Sequence, residues 1–368
     1  TFRIGSTTVT KVQSAPITVP ANRATIGEQI TYTSVVTIPA GIDIYDQTIV
    51  DTIPTGLDFD EYTSATCTSG CAVQPTIGTY TPTGTTTKTI AWDLGNFTAQ
   101  ATPRLITLVY KAHVRSQLAG TSTNIVAGNT INNTIRTQNN FVDKFVFNPA
   151  SLPAQGTFDF VGPNVTRATT VIEPAGTITK QVSVNGGAFV DGPVTTQPGA
   201  NYTYRLQYTN TGTSPAYDLT FNDTPSANLT NVVLAAGDPS TTRNTKMWSA
   251  GSAANRLMTW VVPGPVAVGA TLTITYTAQA VGSANLTNSS TAVNNATLPT
   301  YFGQDAAARA ANPTWIFRTY NGGTDAVTLN FNFPQLQTTK TTGLASFPDT
   351  GPANIGQSFP WRIVVRNN

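Results

Sequence analysis

The chain is short of charge. Asp, Glu, Lys and Arg make up 10% of its 368 residues, against roughly 25% in ordinary soluble domains. The net charge of +2 is too weak to draw nucleic acid or an anionic membrane surface, and the basic residues do not cluster with aromatics. The single histidine, His113, leaves out most Ser-His-Asp hydrolases and most histidine-rich metal sites. No apolar run approaches the ~18 residues of a membrane-spanning helix. Phosphate-cradling glycine loops and nucleophile elbows are also missing. Carboxylates are scarce, so a glycosidase pair would have to converge from distant segments. The expectation is a protein that is no enzyme, with no cofactor and no metal.

What fills the space is apolar residues, at 39%, enough for packed cores, together with Thr, Asn, Gly and Pro. Threonine is β-branched and suits the wet face of a strand, where it replaces Lys and Glu. The stretch "GEQITYTSVVTIPAGIDIYDQTIVDTIP" (Gly27 to Pro54) alternates apolar and polar residues around a soft turn and stops at Asp-Thr-Ile-Pro. "GANYTYRLQYTNTGTSPAYDLTFNDTP" (Gly199 to Pro225) repeats that grammar, and "GQSFPWRIVVRNN" (Gly356 to Asn368) begins it again. Aligned on the three glycines, Ile30, Tyr32, Ser34 and Val36 answer Tyr202, Tyr204, Leu206 and Tyr208, then Phe359, Trp361, Ile363 and Val365. Period two marks strands with one face buried. Further along, Trp92 answers Trp260.

These copies predict an all-β fold of tandem immunoglobulin-like antiparallel β-sandwiches. The expected units are residues 1–150, 151–335 and the start of a third at 336–368. Inward Trp92 and Trp260 would fill the space between sheets. The tract from about Asn139 to Val171 reads as an insertion or a connecting strand. "GQDAAARAAN" (Gly303 to Asn312) is the best helix candidate, at one or two turns. The chain opens on Thr1 without Met, so a processed or excised segment is expected.

Cys67 and Cys71 lie in "CTSGC". With a single histidine available, zinc is a poor reading, and a local disulfide across a tight turn is expected. It implies an oxidising compartment, and a loop this short stiffens locally rather than stabilising the whole fold.

A strand opening "TKQVSV", then "NYTYRLQYTNTG", "NDTP", a Trp strand and an Asn-rich last strand resemble a repeat domain found in tandem in long bacterial and archaeal cell-surface proteins. They are also similar to the isopeptide-forming domain of fimbrial shaft proteins. The resemblance covers Lys11 to Thr134 and Lys180 to Ala296. It implies a structural bead in an extracellular stalk, pilus or surface layer. It further implies a Lys on the first strand joined to an Asn on the last, assisted by a buried acid. By position the candidates are Lys11, Asp51 and Asn124, then Lys180, Asp223 and Asn288. Asn129, Asn132, Asn133, Asn294 and Asn295 leave the choice of asparagine open. The lysines read equally as surface residues, and the aspartates as caps of Asp-Thr-Pro turns.

The expected partners are neighbouring domains of one longer chain, or copies of the chain in a fibre or lattice. The third copy would then be either a fragment or a strand donated to a partner's sheet. An adhesin or carbohydrate-binding module is the alternative from a different class. "FPDTG" (Phe347 to Gly351) looks like a sortase pentapeptide, but the third copy follows it rather than an apolar span, so it reads as coincidence.

Overall fold

The computed structural model describes residues 6–14, 22–197, 199–234, 242–244, 257–282, 286–333, 336–341, 355–356, 358 and 360–367. The Phe347–Gly351 motif and Phe359 lie outside them.

The first unit runs β1 (Thr8–Ser14), β2 (Arg23–Ala24), β3 (Gln29–Ile38), β4 (Ile44–Ile53), β5 (Leu57–Ser69), β6 (Gly78–Thr79), β7 (Lys88–Phe97), β8 (Arg104–Val114), β9 (Thr130–Asn140), β10 (Phe160–Val161) and β11 (Val165–Val171). A four-stranded sheet in the order β1-β3-β8-β5 faces a seven-stranded sheet in the order β2-β11-β9-β4-β7-β6, with β10 beside β9.

The second unit repeats this with every strand number raised by eleven. Its strands are β12 (Ile178–Val184), β13 (Val194–Thr196), β14 (Asn201–Thr209), β15 (Tyr217–Thr224), β16 (Leu229–Leu234), β17 (Thr242–Asn244), β18 (Met258–Val262), β19 (Thr271–Ala280), β20 (Thr291–Phe302), β21 (Thr319–Tyr320) and β22 (Thr324–Phe331). The sheets are β12-β14-β19-β16 and β13-β22-β20-β15-β18-β17, with β21 beside β20. The all-β sandwich reading therefore holds, with one addition: β2/β11 and β13/β22 pair in parallel. The expected helix is a single short one, α1 (Ala306–Ala311), capped by Asp305, whose side chain accepts from the Ala308 N–H at 2.7 Å.

The alternation in sequence becomes burial in space. In β3 the side chains alternate strictly between half-buried and buried. Gly27, Gly199 and Gly356 all have φ near +80° (78°, 83° and 84°), a conformation that costs glycine no Cβ clash. Each unit has its own apolar core. Trp92 and Trp260 are buried between the sheets, opposite Ile49 and Phe221 on the neighbouring strands.

The expected boundary at residue 150 is corrected. The chain returns to the first unit after that point, because β11 pairs with β9 from Val165↔Ile135 to Thr170↔Thr130. Its outer half is exposed, so it lacks the alternation by which a strand is recognised in sequence. The third copy forms a separate hairpin of β23 (Leu336–Thr341) and β24 (Arg362–Asn367). Trp361, Ile363 and Val365, expected to face a core, are more than half exposed here.

The two sandwiches meet through the segment between β20 and β22. Gln304 Nε2 donates to Ile26 O at 3.2 Å, the Phe317 ring lies against the backbone of Gly27, and Trp315 stacks on His113 at 4.0 Å between ring centres. Arg318 donates to Ser116 O and Ile125 O at 2.6 Å each and pairs with Glu173. Glu173 also accepts from Tyr320 Oη at 2.8 Å and from the Ala127 N–H at 2.7 Å.

Candidate functional site

Each sandwich encloses one fully buried lysine among the described residues. Lys11 on β1 and Lys180 on β12 are completely buried. They stand at the same register, Lys11 opposite Ser34 and Lys180 opposite Leu206, on the inward parity of an edge strand. Lys11 Nζ lies 2.7 Å from Asp51 Oδ2. Lys180 Nζ lies 2.6 and 2.7 Å from the two oxygens of Asp223. Both aspartates are completely buried as well, and each comes from the central strand of the opposing sheet, β4 or β15. The structure thus brings together the first two members of each candidate trio.

The third members fall elsewhere. Asn124 is exposed, and its Oδ1 accepts from Gln117 Nε2 at 3.1 Å. Asn288 is exposed and accepts from the Phe333 N–H. Neither approaches its lysine's pocket, because each sits in the turn before the last long strand. The asparagines that reach the pockets are Asn133 on β9 and Asn294 on β20, both fully buried. Asp51 pairs with Ile135 and Asp223 with Ala296. Two residues back along the strand is the same face, which puts Asn133 and Asn294 beside the aspartates.

Tyrosines complete the site. In the first unit Asn133 Nδ2 donates to Tyr110 Oη at 2.6 Å, and Tyr110 Oη donates to Asp51 Oδ2 at 2.9 Å. Lys11 Nζ sits 4.7 Å from the centre of the Tyr32 ring and 5.5 Å from that of Tyr110. In the second unit Asn294 Nδ2 donates to Tyr204 Oη at 2.7 Å, while its Oδ1 accepts from the Ser226 N–H at 2.7 Å. Lys180 Nζ sits 5.2 Å from the Tyr204 ring and 5.6 Å from Tyr276. Sequence places Tyr32 and Tyr204 in the cores but gives no sign that the Tyr110 hydroxyl bridges amide and acid in the first unit.

Burial dominates the electrostatics. Loss of hydration pushes both lysine pKa values down and both aspartate values up, and in each case the partner's charge only opposes that shift. Both directions favour the uncharged pair, a free amine beside a protonated acid. Tyr110 and Tyr276 are pushed well above the ordinary tyrosine range, again by burial first, and stay protonated. Asp51 Oδ1 and Asn133 Oδ1 are buried without a hydrogen-bond partner among the described residues. A proton on Asp51 turns one of these acceptors into a donor.

Cys67 and Cys71 are joined as a disulfide at the end of β5, away from either lysine pocket. Fold and site together define a tandem β-sandwich protein with an amine, an acid and an amide gathered in each core. No protein-family model matches the chain, and no curated protein sequence does. Among solved structures, the chain described as BspA_C_WT is 11% identical at a TM-score of 0.39, over 86% of this chain and 99% of that one. The major pilin BcpA of Bacillus cereus is 11% identical at 0.30, over 88% and 69%. A two-domain piece of the major pilin SpaD of Corynebacterium diphtheriae is 10% identical at 0.26, over 81% and 84%. These scores are too low to carry a site or a role across.

Proposed function

We propose that the chain is a non-enzymatic structural segment of a bacterial cell-surface protein. Its sandwiches form links of an extracellular stalk, fibril, pilus or surface layer, each closed internally by an isopeptide bond. The observation that carries this reading is the duplicated buried Lys–Asp pair with a buried Asn on the adjacent strand. As a stabilising ion pair it is a poor investment, since removing two charges from water costs several kcal/mol each and apolar residues of similar volume do as well. As chemistry it is coherent. A neutral amine is a nucleophile, and a carboxylic acid can polarise an amide carbonyl and carry a proton.

In the proposed reaction Lys11 Nζ attacks Asn133 Cγ, and Lys180 Nζ attacks Asn294 Cγ. The acid donates to the amide oxygen as charge develops there. The C–N bond to the side-chain nitrogen then breaks, and the proton lost by the amine leaves with that nitrogen as ammonia. One secondary amide replaces one amine and one primary amide, with no oxidant and no cofactor. The bond ties the first strand of a sandwich to its last long strand across the core. It closes a loop on the order of a hundred residues, for which the chain-entropy argument gives about 4–5 kcal/mol by analogy with a disulfide. The joint at Glu173 and Arg318 supports the same reading, since it fixes one sandwich on the next.

Intact mass tests the proposal. The folded chain should be lighter than its sequence by two ammonias, beyond the two hydrogens of the disulfide. Tandem mass spectrometry of a digest should recover Lys11 linked to Asn133 and Lys180 linked to Asn294. A mass equal to the sequence less those two hydrogens ends it.

A further inference from the structure

The joint between the sandwiches encloses a cleft of about 610 Å³, within the ~300–1,000 Å³ of ligand sites, which favour domain interfaces. Its floor is the first unit's four-stranded sheet together with the start of β7. Its wall is the second unit's segment around Trp315.

The polar groups in it are already balanced. Asp58 takes Lys88 on one oxygen at 2.5 Å and Arg115 on the other at 2.8 Å. Asp60 takes His113 Nδ1 at 2.6 Å and Gln29 Nε2 at 3.0 Å. Glu61, at the rim, takes Lys111 at 2.8 Å. Every cation of this network is therefore matched, which disfavours phosphate, sulfate or another anion. No group of three or more His, Cys, Asp or Glu among the described residues could hold a metal ion.

What remains is a lining of alternating donors and acceptors, with spare lone pairs on carboxylates and spare N–H groups on Lys88 and Arg115, beside an indole. The indole is held in place by its stack on His113, and the His113 ring is oriented by Asp60. A ligand that suits this carries several hydroxyls, each both donor and acceptor, on a ring with an apolar face that can pack on tryptophan. We propose that the cleft binds a neutral oligosaccharide, gripped between the two sandwiches. It would therefore be bound only while the joint is closed.

Saturation-transfer NMR and calorimetry on the whole chain would test this, with cellotetraose, chitotetraose and a mannose tetramer as probes and a heparin-derived tetrasaccharide as the charged comparison. At least one neutral probe should bind saturably. Trp315→Ala and Asp58→Asn should each weaken that binding about tenfold or more, the size of one charge-assisted hydrogen bond. Asp58→Asn, whose two ion pairs are partly exposed, should stay close to the parent unfolding midpoint. Asp58→Asn leaves the Trp315 contact in place, so it separates a ligand contact from damage to the joint. No binding by any neutral probe at millimolar concentration, preference for the charged tetrasaccharide, or equal binding by both variants would overturn the assignment.

Discussion

The two sandwiches share strand order, tryptophan plug and buried lysine, yet they hold the amide differently. In the first, Tyr110 links Asn133 to Asp51, and the amide oxygen has no hydrogen-bond partner among the described residues. In the second, Lys180 grips both oxygens of Asp223, and the Ser226 N–H already points at the carbonyl oxygen of Asn294. That N–H is placed where negative charge would build during attack, the arrangement of an oxyanion hole. Under the proposed reaction, the same fold would present a preset electrophile in one copy and an unset one in the other. The joints differ too: the segment after β9 folds back on its own unit, with Phe147 against Tyr80 and Lys144 on Asp159. The segment after β20 reaches the other sandwich through Trp315, Phe317 and Arg318.

The largest effect should follow removal of an amine. Lys180→Met should restore one ammonia to the intact mass and lower the stability of the second sandwich by about 4–5 kcal/mol from the lost loop closure alone. Guanidinium unfolding read alongside the mass will show it, and Lys11→Met should do the same to the first sandwich only. If both variants keep the parent stability, the covalent tie is absent and the two units differ only in packing.

The difference in electrostatic setting should appear as a difference in rate. One preset backbone donor is worth roughly 10²–10³-fold in comparable acyl chemistry, so after refolding the Lys180–Asn294 bond should form well before the Lys11–Asn133 bond. Timed quenching, digestion and mass spectrometry follow each bond separately. Equal rates would mean that the Ser226 contact does not act on the reaction.

A third test is pH. In Lys11→Met the cation that opposes the Asp51 shift is gone, and burial holds that acid above its ordinary value. The native state then binds the Asp51 proton more tightly than the unfolded chain does. That contribution is complete below the unfolded value near 4 and is lost as pH rises through the raised native value. Melting temperatures of this variant should therefore fall from acid toward neutral pH relative to a Lys11→Met/Asp51→Asn double variant. The opposite slope would mean that the carboxylate is charged in the native state.

The smallest effect belongs to the joint. Arg318→Ala removes two hydrogen bonds to backbone carbonyls and leaves Glu173 without its ion pair, a change of about 1–3 kcal/mol. It should broaden the distance distribution between the sandwiches in small-angle scattering while leaving both lysine sites intact. An unchanged distribution would mean that Trp315, Phe317 and Gln304 hold the joint without it.

Much of this was legible in the chain itself. Period-two alternation after Gly27 and Gly199 marks which side chains turn inward, because a strand has only two faces and one of these packs on the opposing sheet; after Gly356 the same pattern stays exposed. Lys11, Lys180, Asp51 and Asp223 were singled out by the family resemblance and their places in the repeat; the residues alone read equally as surface lysines and turn-capping aspartates. The asparagines that meet them were not: the places in the repeat pointed to Asn124 and Asn288, whereas strand register puts Asn133 and Asn294 beside the aspartates and leaves Asn132 and Asn295 exposed. Register between strands is decided by hydrogen bonds across the sheet and by the bulges at Asp46 and Asp218, where φ is 51° and 49°; no local pattern encodes it. Sequence alone determined the repeat and the fold class, and the tertiary structure buried an amine and an acid in each core. Only the tertiary structure decided which amide meets them, that β11 belongs to the first sandwich, and that His113 and Trp315 meet at a joint. Those contacts link residues far apart in the chain, and only the closing of the sheets brings them within reach.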